Sequence, residues 1–534
     1  MTHSSATPDA LANLTDLSLD ATGTFVLYAT DDYFAPKECL VRPGAPEWRE
    51  GAYTDKGKWM DGWESRRRRS PGHDFVIVRL GTPGTIEGVL CDTTHFKGNA
   101  PQEVSLEAVD VPASTSVDEL LALPVTADPA VVSAARGRAW LEVVPRMPVK
   151  PDHPNALAPV RTLRRTSHVR LRIHPDGGVA RLRVYGRVVP DPDVFRGPGS
   201  VDLAAIENGG TIAAASDSFF GPPANLLLPG RGVNMGDGWE TKRRRTPGSD
   251  WCVIRLGRRG IVHRLELDTH FFKGNAPVAA SVESLDGEEL TEGELRARLA
   301  SEAGWQVLVE DSPVEPHHRH LLAPAHAGPV THLRVHIVPH GGVNRLRVHG
   351  EALDTPGERR ALAALHALQA KDAAALRTLL LSFCGSSAFV DRLAAVLPAP
   401  SVRALLASAS AALVGLRSDD LLEAFAAHPR LGEGAAAKGA TAQSSAWSEG
   451  EQAALARGAT ADLERLRAGN VRYFERFGFV FLAFASGRGA GELADLLERR
   501  LPNDRETEMA NAAVAQARIT RLRIARWLEA HGAE

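Results

Sequence analysis

Residues 59–101 align with residues 235–277 at a constant offset of 176, and 22 of the 43 positions are identical, among them Asp61-Gly62-Trp63-Glu64 against Asp237-Gly238-Trp239-Glu240. A tandem duplication of this kind restricts the fold, because whatever architecture one copy adopts the other must share. Flanking matches extend the unit: Tyr33-Phe34 with Phe219-Phe220 at offset 186, Trp140 with Trp305 at 165, and Gly177-Gly178-Val179 with Gly341-Gly342-Val343 at 164. Offsets change where surface loops tolerate insertion. A period this long means two domains, since solenoid repeats run about 20 to 50 residues.

Proline marks a second division, because 30 of the 34 prolines precede residue 359. The front is rich in Pro, Gly and short β-branched alternations, such as residues 75–80, 168–173 and 180–185, bounded by turn dipeptides. That is the signature of an all-β sandwich or barrel. The tail is rich in Ala, Leu, Arg and Glu with apolar residues at helical spacing over 376–381, 463–474 and 509–528, which predicts an all-α domain. The expected fold is therefore multidomain β + α, two tandem all-β repeats followed by an all-α helical domain. The expected boundaries are 20–190, 200–352, a linker at 353–360 around Thr355-Pro356-Gly357, and 361–530.

The 534 residues, 44% hydrophobic and 24% charged with a net charge of −3, describe a soluble globular protein of about three to four domains. A near-balanced charge argues against nucleic acid as a partner. No apolar run approaches the roughly 18 to 20 residues that span a bilayer, so no membrane role is expected. Cys39, Cys91, Cys252 and Cys384 are far apart and lack ligand spacing, which predicts neither disulfides nor a zinc site. With no signal-peptide pattern at the start, a cytoplasmic location is expected.

Within the repeats, Glu64-Ser65-Arg66-Arg67-Arg68-Arg69 is answered by Glu240-Thr241-Lys242-Arg243-Arg244-Arg245. Three readings stay open: a nucleic-acid patch, solvated cations at a strand edge, and a receptor for a small anion, since guanidinium forks grip carboxylates bidentately. The second shared block holds Asp92-Thr93-Thr94-His95-Phe96-Lys97-Gly98-Asn99 and Asp268-Thr269-His270-Phe271-Phe272-Lys273-Gly274-Asn275. A histidine beside Asp and Lys at a strand end can move protons. Equally, Asp-Thr and Gly-Asn are turn formers. The histidine has shifted by one, His95 aligning with Phe271 and His270 with Thr94, so the copies need not be equivalent.

These duplicated blocks, with the Pro-x-His segments (Pro151 to His153, Pro316 to His318) and the Pro-x-Gly-Gly-Val turns (Pro175 to Val179, Pro339 to Val343), resemble allantoicase over about residues 20–352. The resemblance implies two tandem jelly-roll-like antiparallel β-sandwich repeats and hydrolysis of allantoate to urea and (S)-ureidoglycolate. Allantoate is one carbon bearing a carboxylate and two ureido groups. Losing urea requires an acid for the leaving nitrogen, a base for water and cations for the carboxylate. Glu64, His95, Glu240 and His270 are the candidates for proton transfer, and Arg67, Arg68, Lys97, Arg243, Arg244 and Lys273 for anion binding, with neither copy ranked above the other. The same Asp, Glu and His residues could hold a divalent metal, but no fixed ligand spacing supports one. No metal and no cofactor are expected.

In the tail, His428-Pro429 ends a helical pattern over 421–427. There the helix dipole is expected to favour the charged imidazole. Ser448 and Glu451 have capping-box spacing. Together with Cys384-Gly385-Ser386-Ser387, Asn470-Val471-Arg472-Tyr473, the stretch 499–508 and the closing 519–524, these residues resemble OHCU decarboxylase over about 361–530. OHCU is 2-oxo-4-hydroxy-4-carboxy-5-ureidoimidazoline. The resemblance implies decarboxylation to (S)-allantoin with His428 and Glu451 catalytic, Ser448, Gln452 and Arg523 binding substrate, and Phe479 lining the pocket. The electrons left by CO₂ delocalise into the adjacent C=N system, so no metal or pyridoxal sink is required.

Both resemblances together imply a bifunctional enzyme of ureide breakdown whose partners are small ureides. The two steps are not consecutive, because allantoin must be opened by an allantoinase before allantoicase can act. Fusion then suggests fixed stoichiometry or association with allantoinase, and a homo-oligomer stays open. The rival readings are β repeats that serve as ligand-binding or scaffolding modules, and one repeat that is a structural partner without a site.

Overall fold

The computed structural model describes Leu11 and residues 14–127, 139–195, 199–430, 460–483 and 489–532, and divides after Leu353 into two units. In the first, the 19-residue strand Asp74–Asp92 organises one repeat and the 19-residue strand Asp250–Asp268 the other. The alternation of Val76, Val78 and Leu80, then of Ile86, Val89 and Cys91, turns one side of Asp74–Asp92 into the core. Its first half pairs antiparallel with Phe25–Ala29 and Thr166–His174, its second half with Pro154–Leu157 and Arg181–Val188. A single strand thus serves both layers and closes them into a sandwich. Asp250–Asp268 repeats the arrangement with Thr211–Ala215, Pro329–Val338, Arg319–Leu322 and Arg345–Ala352. Each repeat has its own apolar core. All of these pairings are antiparallel; the short Val125–Thr126 edge is the parallel exception.

The Gly-Gly turns explain why two motifs distant in sequence travel together. Gly177 and Gly341 adopt φ of 134° and 141°, and a Cβ on Gly178 or Gly342 would stand 2.0 Å from the ring of Phe96 or Phe272. The glycines let the turn lie on that ring, and the Gly178 and Gly342 amides donate to the carbonyls of Asn99 and Asn275. The turn thereby seats the loop that carries His95 and Asn99 against the short strand Trp63–Glu64.

The second unit is helical, with Pro356–Gln369, Ala373–Phe383, Ser387–Ala394, Val402–Leu413, Ser418–Ala426, Thr460–Phe477, Ala490–Arg500 and Arg505–His531 around one core. Much of the stretch expected as a linker is helix: Thr355 and Glu358 form a capping box and Pro356 occupies the first turn. Turn-forming Thr-Pro-Gly reads equally well as a helix start, which is why composition alone misplaces it. The stretch 499–508 is a framework. Glu508, fully buried, accepts from Tyr473, Arg500, Asn503 and Asn511. Arg500 also donates to the Leu482 carbonyl at 2.9 Å, anchoring the chain just beyond Phe479. Among the described residues no helix is long and apolar enough to cross a membrane.

Candidate active sites

Each residue of Asp-Gly-Trp-Glu has a separate task in the first repeat. Asp61 is buried in an ion pair with Arg181, and Gly62 passes within van der Waals distance of the Val179–Ala180 backbone. Trp63 is wholly buried and donates its indole N–H to the Asp31 carbonyl at 2.8 Å. Glu64, on the opposite face by strand alternation, accepts from the Asn99 amide at 2.7 Å. Burial holds its carboxyl above the ordinary carboxylate range, with Asn99 opposing.

Glu64 opens into a cavity of about 320 Å³ lined by Phe34, Trp48, Gly57, Lys58, Met60, His95, Lys97, Gly98 and Asn99, within the range of small-molecule sites. Asp92 caps the Thr94 amide, and His95 follows with φ of 73°, its amide donating to Asp152 at 2.8 Å. Its Nε2 lies 3.2 Å from the Pro46 carbonyl. A carbonyl only accepts, so Nε2 carries the proton in that bond and Nδ1 is the ring nitrogen turned away from it. Lys97 reaches Asp152 at 3.6 Å.

The second repeat keeps the scaffold and changes the lining. Glu240 accepts from Asn275 at 2.6 Å, Trp239 donates to Asp217 at 2.9 Å, and Asp237 pairs with Arg345. Phe271, with φ of 71°, stands where His95 stands, its amide donating to His317 as that of His95 does to Asp152. His270 replaces Thr94 and stacks on His317 with ring centroids 4.1 Å apart. The hairpin Tyr53–Thr54/Gly57–Lys58, which walls the first cavity, has no counterpart, and Phe219 and Phe220 are 69% and 61% exposed.

The lining of the first cavity does not include Arg67 or Arg68. Arg67 is exposed, and Arg68 pairs with Asp74 at 2.7 Å; in the second repeat Arg243 is exposed and Arg244 pairs with Asp250 at 3.2 Å. Lys273 is exposed at the loop that carries Asn275. Sequence reasoning missed Asn99 as the partner of Glu64, and it missed Trp48 and Lys58 altogether. The available signal was the fall in offset from 186 to 176 between Phe34 and Trp59, which locates ten extra residues in the first copy. Among the described residues no group of three or more His, Cys, Asp or Glu side chains could hold a metal ion, and the four cysteines are buried and unpaired.

In the helical unit, His428 follows the helix Ser418–Ala426 and is buried, as is Arg523 in the helix Arg505–His531. Burial and the Arg523 charge push the imidazole down to about 3, with a smaller opposing pull from Gln516. This reverses the expected dipole-favoured charge, since desolvation and a facing cation outweigh a helix terminus. His428 is therefore neutral at pH 7. Phe479 packs against Phe425 and Tyr473, at 5.4 Å and 5.9 Å between ring centroids, which sets its segment beside the helix that precedes His428. Ser448, Glu451 and Gln452 lie outside the described residues.

A family model for the allantoicase repeat matches residues 15–189 and 201–353. The chain belongs to the allantoicase family. A probable allantoicase of Burkholderia mallei is 42% identical over 341 residues, which cover 63% of this chain and 94% of the relative. A probable allantoicase of Burkholderia pseudomallei is 43% identical over 344 residues, 94% of its length. The crystal structure of allantoicase from Saccharomyces cerevisiae matches with a TM-score of 0.51 at 35% identity, covering 63% of this chain and 92% of that one. Beyond the allantoicase repeats, a model for OHCU decarboxylase matches residues 369–525. The reading of the repeats as bare ligand-binding modules is not favoured by these matches.

Proposed function

We propose that the chain is a bifunctional enzyme, an allantoicase in its β unit and an OHCU decarboxylase in its helical unit, acting in the cytoplasm on small ureides, and that the first repeat holds the urea-releasing site. The observation that carries the placement is the combination around Glu64. A half-buried carboxyl raised above its ordinary range shares a small-molecule cavity with His95, whereas the second repeat has phenylalanine in place of that histidine. In the proposed reaction water adds to the central carbon of allantoate as the C–N bond to one ureido group breaks. His95 Nδ1 takes the proton from water and Glu64 gives one to the departing nitrogen, leaving ureidoglycolate and urea. A raised carboxyl suits the acid.

Separate Glu64→Gln and Glu240→Gln variants, assayed for urea release, test the placement. Glu64→Gln is expected to lower kcat by about 100-fold or more, and Glu240→Gln to leave it within about twofold. Equal losses in both would overturn it.

For the second activity, neutral His428 is suited to accept a proton, and Arg523 to hold the ureido or carboxylate group. Glu451, Ser448, Gln452 and Phe479 complete the proposed site on family resemblance. Because the two steps are separated by ring opening of allantoin, association with an allantoinase is part of the proposal. Co-purification of the full chain with an allantoinase supports it, and failure to associate removes it. Self-association is tested by the mass of the full chain in solution.

A further inference from the structure

We infer that Lys58 is the carboxylate receptor of the first repeat, and that the hairpin carrying it is what confines the site to that repeat. The inference rests on the allantoicase reading of this cavity. Its carboxylate-bearing substrate must present an anion beside the carbon attacked near Glu64, so the wall must supply a cation. Two lysines line the cavity. Lys97 is shared with Asp152 at 3.6 Å, and both lysines are exposed. Lys58 has no carboxylate within ion-pair distance among the described residues, and its Nζ is held 4.0 Å from the centroid of Trp48. Trp48, 42% exposed, donates its indole N–H to Glu50 at 2.7 Å, and its ring lies 5.4 Å from that of His95. An ammonium held over an aromatic face keeps its three donors for a ligand while losing little freedom on binding.

The same hairpin covers the aromatic pair Tyr33-Phe34: Lys56 lies over Tyr33, and Gly57 stands against Phe34. In the second repeat the ten-residue difference removes the hairpin, position 234 is asparagine where position 58 is lysine, and Phe219-Phe220 is bare. The second repeat thus lacks both the hairpin and a counterpart of Lys58.

The test uses the full chain with Lys58→Gln, Lys58→Arg and Lys97→Gln. Losing one charge-assisted hydrogen bond common to ground and transition states is expected to raise the KM for allantoate about tenfold or more while kcat stays within about threefold. Lys58→Arg is expected to restore most of the loss, and Lys97→Gln to raise KM less than Lys58→Gln does. An unchanged KM in Lys58→Gln, or the larger rise in Lys97→Gln, overturns the inference. Allantoate binding is followed in parallel by the fluorescence difference between the chain and its Trp48→Phe variant. A saturable signal that Lys58→Gln abolishes, in a chain that releases no urea, would sustain Lys58 and refute the allantoicase reading. Neither signal nor urea would remove both.

Discussion

Glu64 and Glu240 occupy the same strand position, bond to the same asparagine of the repeat, and differ in what stands across from them. In the first copy His95 shares a cavity with the carboxyl, and in the second Phe271 holds that histidine's position. Burial acts on histidines throughout the molecule in the opposite sense. It pushes His168 and His332 down to about 4 and His428 to about 3. All three are neutral in the folded chain at pH 7, and the unfolded chain takes up their protons below about 6.5. A depressed histidine therefore contributes stability that is complete above pH 6.5 and lost as pH falls toward the folded value. The slope is about 1.4 kcal/mol per pH unit for each such group. Thermal unfolding between pH 7 and 4.5 is expected to show a falling midpoint whose slope is reduced in His168→Gln. A slope unaltered by that substitution would exclude His168 as a source.

At the scale of elements, the Gly-Gly turn makes a sharp comparison. Gly178→Ala and Gly342→Ala would each drive a methyl to 2.0 Å from a buried phenylalanine, costing about 1–3 kcal/mol by overpacking. Both variants are expected to lower the unfolding midpoint, but only Gly178→Ala to impair urea release at temperatures where the chain is folded. An equal loss of activity from Gly342→Ala, measured by steady-state urea assay, would mean that the second loop also serves catalysis. The duplication made these loops, the buried tryptophans and Glu64 legible, because both copies need the same residues to close the same turn. The hairpin stayed hidden for the complementary reason. Comparing copies exposes what they share, and Trp48 and Lys58 lie in what only one possesses. Asn99 was visible but ambiguous, since a Gly-Asn pair forms turns whether or not its amide reaches a carboxylate across 35 positions. His428 was found by resemblance, while its lowered pKa comes first from burial and then from Arg523, 95 residues away, which local helix reasoning does not reach.

At the scale of the molecule, proline and glycine usage separated a β unit from a helical one, and the boundary after Leu353 follows the change in composition. Each unit has its own core and its own candidate chemistry, so the two reactions should be separable by single substitutions. The most direct test gives the full chain allantoate in one assay and freshly generated OHCU in another, following urea in the first and the optical activity of allantoin in the second. The unmodified chain is expected to release urea and to form (S)-allantoin; Glu64→Gln should abolish the first and preserve the second, and His428→Ala should do the reverse. Loss of both activities in either well-folded variant, or failure of the unmodified chain to perform both, would contradict two independent sites on one polypeptide.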